Sequence, residues 1–147
     1  MKKNDVNNNL KLEKQLCFRL YSLNKKMNRL YAPVLKDLSL TYPQYLVMLV
    51  LWDRPDPVSI KKLGLQLDLD TGTLSPLLKR LEKQTLINRC RSNEDERIVE
   101  IQLTQAGTQL KDKAQGIPEK MFSITGFTPE QLNTLNQQLD LLLKNIS

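Results

Sequence analysis

The chain has 147 residues, enough for one domain of ordinary size, and with 40% hydrophobic and 26% charged residues it can bury a core under a solvated surface. Its formal net charge of +6 favours polyanionic partners or an acidic membrane surface, and the lack of any histidine excludes His-based triads, general bases and metal ligands. The two cysteines, Cys17 and Cys90, lie far apart and form no CxxC pattern, so neither a metal nor a cofactor is expected.

The N-terminus, MKKNDVNNN, is polar and lacks the apolar region of a signal peptide. No run approaches the roughly 18 apolar residues that span a bilayer. A cytoplasmic protein with no membrane partner is expected, in a compartment where thiols stay reduced and a lone cysteine can report on oxidants. The charge does not locate a surface: residues 1–37 carry nine Lys/Arg against three Asp/Glu, and residues 61–97 carry eight against six.

Residues 10–38 read as a helical region, because Leu12, Leu16, Leu20, Leu23, Met27 and Leu30 recur at three- and four-residue spacing. Pro33 predicts a kink or break near Tyr31. On this helix Tyr21 follows Cys17 by one turn on the same face. The residues alone leave two readings of that sulfur open, a small core filler or a chemical sensor.

Residues 41–53 predict a second helix, with Thr41 as cap and Pro43 in the first turn; it is apolar almost all round and belongs in the centre of the fold. RPDP at 54–57 is a loop. A short helix follows over 58–68 with Ser59 as a possible cap, then a turn at 69–72. The next helix, 73–84, carries Leu74, Leu77, Leu78 and Leu81 on one face, and Pro76 requires that it begin close by. Two short helices around a tight turn suggest a helix-turn-helix.

Residues 86–92 and 97–104 read as strands, the second alternating Val99, Ile101 and Leu103 with polar residues, and NEDE at 93–96 forms the hairpin tip. The fold class is therefore mainly α with a small β-hairpin wing, a winged helix-turn-helix. Thr104 caps a helix over roughly 105–122, weakened by Gly107, Gly116 and Pro118. Thr128, Pro129 and Gln131 start a final helix, 129–145, whose leucine stripe demands burial. Residues 1–38 and 105–147 are expected to form a helical dimerisation region of a homodimer, around a DNA-binding region at 39–104.

A recognition helix presents its N-terminal residues to base edges. Here these are Thr71, Thr73 and Ser75, with Lys79 and Arg80 one turn on to reach phosphates of double-stranded operator DNA. At the wing tip Arg97 suits the minor groove, and Asp95 is placed to pair with it and aim it.

The segment LDTGTLSPLLKRLEKQTLINRCRSNEDERIVEIQLT (69–104) resembles the MarR family of winged-helix regulators. More narrowly, with KLEKQLCFRLY (11–21) and LTYPQYLVMLVLW (40–52) it is similar to that family's organic hydroperoxide resistance regulators (OhrR). The likeness runs over most of residues 10–120; the C-terminal helix matches only in type. The resemblance implies a dimeric repressor, not an enzyme, whose N-terminal cysteine is oxidised by organic hydroperoxides and whose oxidised dimer leaves the operator. Carried over by motif, Cys17 is the redox-active thiol, Tyr31 and Tyr42 hydrogen-bond the sulfur, and Tyr21 stands near it. No cysteine lies in the C-terminal helices, so the chain is similar to the one-cysteine type, whose sulfenic acid is capped by a small cellular thiol. Cys90 and Asp68 depart from the family pattern, and Thr85 replaces a usual glycine. A thiol peroxidase, a regulator released by a small phenolic ligand, and a broader thiol-switch stress or virulence regulator are the competing readings.

Overall fold

The computed structural model describes residues 10–146, so the reading of the N-terminal segment 1–9 lies outside the described residues. The chain divides into two units, Met1–Ala114 and Gln115–Ser147. Among the described residues no helix is long and apolar enough to cross a membrane.

The first unit opens with a 3-10 turn, Leu12–Lys14, and helix α1, Leu16–Val34. Pro33 sits in the last turn of α1, and the helix ends at Val34 rather than breaking near Tyr31. A proline this close to the end removes one hydrogen bond and has no later turn to disturb. The Leu35 N–H donates to the Tyr31 carbonyl at 2.8 Å and closes the helix.

Helix α2, Tyr42–Trp52, begins at the expected cap. The Thr41 N–H and hydroxyl both donate to Gln44 Oε1, at 2.8 and 3.1 Å. Tyr45, Val47, Met48, Leu51 and Trp52 are buried, as an all-round apolar helix requires.

Val58–Ser59, expected to open a helix, is instead a two-residue strand, β1. So short a strand shows no period-two pattern. Helix α3, Ile60–Leu67, follows with Ser59 Oγ accepting the Lys62 N–H at 3.3 Å. The turn after it closes tightly: Asp68 adopts left-handed φ of 52°, and a side chain on Gly64 would place its Cβ 2.7 Å from the Leu69 carbonyl oxygen. Helix α4, Thr71–Lys83, starts two residues earlier than expected, because Asp70 is its cap. Leu74, Leu78 and Leu81 of α4 are fully buried.

Strands β2, Ile87–Arg91, and β3, Val99–Leu103, pair antiparallel from Ile87↔Leu103 to Arg91↔Val99. β1 adds to the other edge of β3 through Val58↔Ile101, giving sheet order β1-β3-β2. The expected single helix over 105–122 is two helices, α5 at Gln105–Ala114 and α6 at Ile117–Thr125. Pro118 cannot donate to the carbonyl of Ala114, so the helix restarts with Pro118 in a first turn, where no such donor is needed. Gly107, a helix weakener by propensity, is needed for space: a Cβ there would overlap the Leu86 carbonyl oxygen.

The second unit contains α6 and α7, Pro129–Ile146. The capping box is present: the Gln131 N–H donates to Thr128 Oγ1 at 3.3 Å, and the Thr128 N–H to Gln131 Oε1 at 2.9 Å.

Candidate redox sensor and nucleic-acid interface

Cys17 lies in the first turn of α1 and is exposed. Tyr21, one turn on, is also exposed; the Lys25 ammonium sits 5.2 Å from its ring centroid and donates to its hydroxyl at 3.5 Å. Tyr31 lies near the other end of the same helix. Fourteen residues at 1.5 Å each separate it from Cys17 by about 21 Å. At about 100° per residue, positions 17, 24 and 31 fall on one stripe, with Leu20 and Met27 beside them.

Tyr31 and Tyr42 are brought together. Their ring centroids are 4.3 Å apart at 31°, which puts the end of α1 against the start of α2. Tyr45, buried on α2, lies 5.9 Å from Tyr31 and meets the Trp52 ring edge-on at 6.2 Å. Burial, followed by the neighbouring phenols Tyr42 and Tyr45, holds the Tyr31 hydroxyl above its ordinary pKa; burial alone does so for Tyr42. Both phenols therefore stay protonated throughout the neutral range. Cys17 is not brought to either of them within one chain.

On the reading side, Thr71 and Thr73 are exposed at the start of α4 and Ser75 is half-buried, with Lys79 and Arg80 exposed beyond them. Asp70 organises this end. Its Oδ1 accepts the Thr73 N–H at 2.9 Å and its Oδ2 accepts the Thr73 hydroxyl at 2.8 Å. Hydrogen bonds from Thr73, backbone first and hydroxyl second, hold the Asp70 carboxyl below its ordinary pKa. The Thr73 hydroxyl, expected to face base edges, thus already donates its proton to the cap. The pattern D-x-x-T at the helix start carried that signal.

The opposite end of α4 is tied down as well. Gln84 Nε2 donates to the Ser39 carbonyl at 2.9 Å, and Glu82 on α4 pairs with Arg89 on β2 at 3.2 Å. At the wing tip, Arg97 is exposed. Asp95 does not pair with its guanidinium; Asp95 Oδ1 accepts the Arg97 backbone N–H at 3.0 Å. Two residues across a tight turn bring the carboxylate within reach of the main-chain N–H, which it accepts in place of the guanidinium. The Asp95 carbonyl also accepts the Ile98 N–H at 2.9 Å, so Asp95 shapes the tip. Cys90 is half-buried on β2, its thiol 3.6 Å from the Glu100 carbonyl oxygen. Among the described residues no cluster of His, Cys, Asp and Glu suits a metal ion.

A helix-turn-helix backed by a small antiparallel sheet defines the class of this protein: a winged-helix regulator. The family described as transcriptional regulator SarA/Rot matches residues 29–114. The organic hydroperoxide resistance transcriptional regulator of Bacillus subtilis is 47% identical over 93% of this chain and 92% of its own. The HTH-type transcriptional regulator MgrA of Staphylococcus aureus is 43% identical over 87% of each chain. Reduced AbfR bound to DNA superposes with a TM-score of 0.74 at 32% identity, over 98% of this chain and 99% of that one. AbfR is from Staphylococcus epidermidis, and its disulfide form matches with a TM-score of 0.61 at 35% identity, over 97% and 99%. The chain belongs to the MarR family of winged-helix transcriptional regulators, and its resemblance is to the organic hydroperoxide resistance regulators within it.

Proposed function

We propose that the protein is a cytoplasmic redox-sensing repressor that binds double-stranded operator DNA as a homodimer and leaves it when an organic hydroperoxide oxidises Cys17. The observation that carries this reading is the spacing on α1. Cys17 and Tyr31 share one stripe of a continuous helix about 21 Å apart, and Tyr42 is stacked on Tyr31. Sulfur and phenols meet when α1 pairs antiparallel with its copy about Asn24, seven residues from each.

Exposed Leu16, Leu23 and Leu30 on α1, with Leu135, Leu141 and Ile146 on α7, supply apolar surface for a dimer built from residues 1–38 and 105–147. Each sulfur is then held by the partner subunit's Tyr31 and Tyr42, with Tyr21 nearby. Phenolic O–H donation favours the thiolate, the species that peroxide oxidises. The thiolate attacks one peroxide oxygen; an S–O bond forms, the O–O bond breaks, and the alkoxide leaves and takes up a proton. The sulfenic acid condenses with a small cellular thiol, forming a mixed disulfide and releasing water.

Bulk gained at the seam shifts the two α4 helices relative to half-sites about one helical turn apart. Thr71 and Ser75 face the major groove beside Thr73, whose hydroxyl proton is held by Asp70; Lys79 and Arg80 face the phosphates, and Arg97 the minor groove from a tip shaped by Asp95. The test is operator binding by wild type and Cys17→Ser, with and without cumene hydroperoxide. Release of wild type alone is expected; release of both proteins defeats the sensor role.

A second reading, release by a small phenolic ligand, has one observation in its favour. A groove of about 700 Å³ beside the start of α4 is lined by Ile60, Leu65, Leu69 and Ile98. It predicts ligand-driven release that Cys17→Ser does not abolish.

A further inference from the structure

We propose that Tyr45 and Trp52 are positioning residues that couple the sensor tyrosines to the root of the wing. The inference rests on the redox reading above. Four rings run in series: Tyr42 on Tyr31 at 4.3 Å, Tyr31 on Tyr45 at 5.9 Å, and Tyr45 on Trp52 at 6.2 Å. The series ends on the main chain, where the Trp52 indole N–H donates to the Gly107 carbonyl at 2.9 Å. Lys111, one turn further along α5, donates its ammonium to the Trp52 carbonyl at 2.8 Å, so α5 holds both the side chain and the backbone of Trp52.

Gly107 is the point where α5 touches the wing. Its Cα lies so near the Leu86 carbonyl that no side chain fits, and its N–H donates to Thr104 Oγ1 at 3.0 Å. Thr104 in turn donates its hydroxyl to the Thr85 carbonyl at 2.6 Å and its N–H to the Leu86 carbonyl at 3.1 Å. These bonds join the start of α5 to the residues that open β2.

Tyr45 and Trp52 are 3% and 8% exposed, so neither ring has room to yield alone. Displacement of Tyr31 or Tyr42 by an oxidised sulfur therefore forces Tyr45 to repack, and Trp52 carries that change to Gly107. In the reduced state the same contact buttresses the Tyr31 ring, holding its phenol toward the partner subunit.

Trp52 is the only tryptophan in the chain, so its emission reads this coupling directly. Reduced wild type, Cys17→Ser, Tyr45→Phe and Tyr45→Leu are treated with cumene hydroperoxide. Trp52 emission is followed alongside mass spectrometry of Cys17, with circular dichroism to verify folding. In wild type and Tyr45→Phe, emission should change at the rate of Cys17 oxidation; in Cys17→Ser it should stay constant. In folded Tyr45→Leu, oxidation should slow on the order of tenfold, through the lost support of Tyr31, and emission should no longer follow it. Static wild-type emission over an oxidised Cys17 overturns the coupling and leaves the redox reading intact, and this measurement needs no variant at position 45. Wild-type kinetics and emission in Tyr45→Leu overturn it equally. A Cys17 that stays unoxidised defeats the redox reading itself, and the coupling with it.

Discussion

Helices α2 and α1 are built in opposite ways. α2 has eleven residues and buries six of them, while α1 has nineteen and buries none. α7 is like α1, with no buried residue and with Leu135, Leu141 and Ile146 exposed. The winged-helix region completes its own core from α2, the α4 leucines, and Val58, Ile87 and Ile101 of the sheet. Helices α1 and α7 each keep large apolar side chains exposed, the surface that the second copy proposed above would cover.

Substitutions separate the two regions. Leu78→Ala empties a fully buried site and should cost about 2–5 kcal/mol in urea unfolding. Leu135→Glu, on the apolar stripe of α7 and 36% exposed, should leave the secondary structure intact and shift the protein to monomers in sedimentation. A dimer untouched by Leu135→Glu would place the interface elsewhere.

Asn24→Cys in a Cys17→Ser, Cys90→Ser background sharpens the point. A short bis-maleimide should link two chains, whereas cysteine at exposed Lys83 should not. Arg97→Ala should weaken operator binding by about 1–3 kcal/mol with the dimer intact, and unchanged binding in a gel shift removes the wing from recognition.

Thr85 offers a smaller effect in the winged-helix region. It adopts a left-handed φ of 59°, strained for a β-branched residue. Thr85→Gly should raise stability by up to about 1 kcal/mol, after subtracting the extra freedom of glycine in the unfolded chain. A loss of stability would mean that the Thr85 hydroxyl, which donates to the Gln84 carbonyl at 2.7 Å, outweighs the strain.

The smallest effect concerns pH. Burial raises the pKa of Tyr31, Tyr42 and Tyr45, so the folded state retains protons that the unfolded state releases above about pH 10. Stability should therefore fall as pH rises through and beyond 10, and Tyr31→Phe should flatten that fall in pH-dependent melting. An unchanged slope would show that Tyr31 ionises as freely in the fold as outside it.

Signals that lie within a few residues were legible in advance. Thr41 with Pro43, and Thr128 with Pro129 and Gln131, mark helix starts within a few residues, and the alternation of Val99, Ile101 and Leu103 marks a strand. Cys17, Tyr31 and Tyr42 became a candidate site through likeness to a family, because nothing local joins residues so far apart. Tyr45 went unnoticed within an apolar run where every residue looked like core. The Asp95–Arg97 contact was misassigned because spacing shows proximity and not which atom accepts the bond.

Local chemistry in this chain thus specifies caps, periodicity and the helix-turn-helix order, since those energies are settled between residues two to four apart. Partners across the fold set the rest. Val58–Ser59 becomes a strand because β3 offers it an edge, Gly107 is required because Leu86 lies against it, and Tyr31 gains its stack because α2 turns back onto α1. Such contacts depend on where distant segments come to rest, and periodicity along a chain carries no record of that.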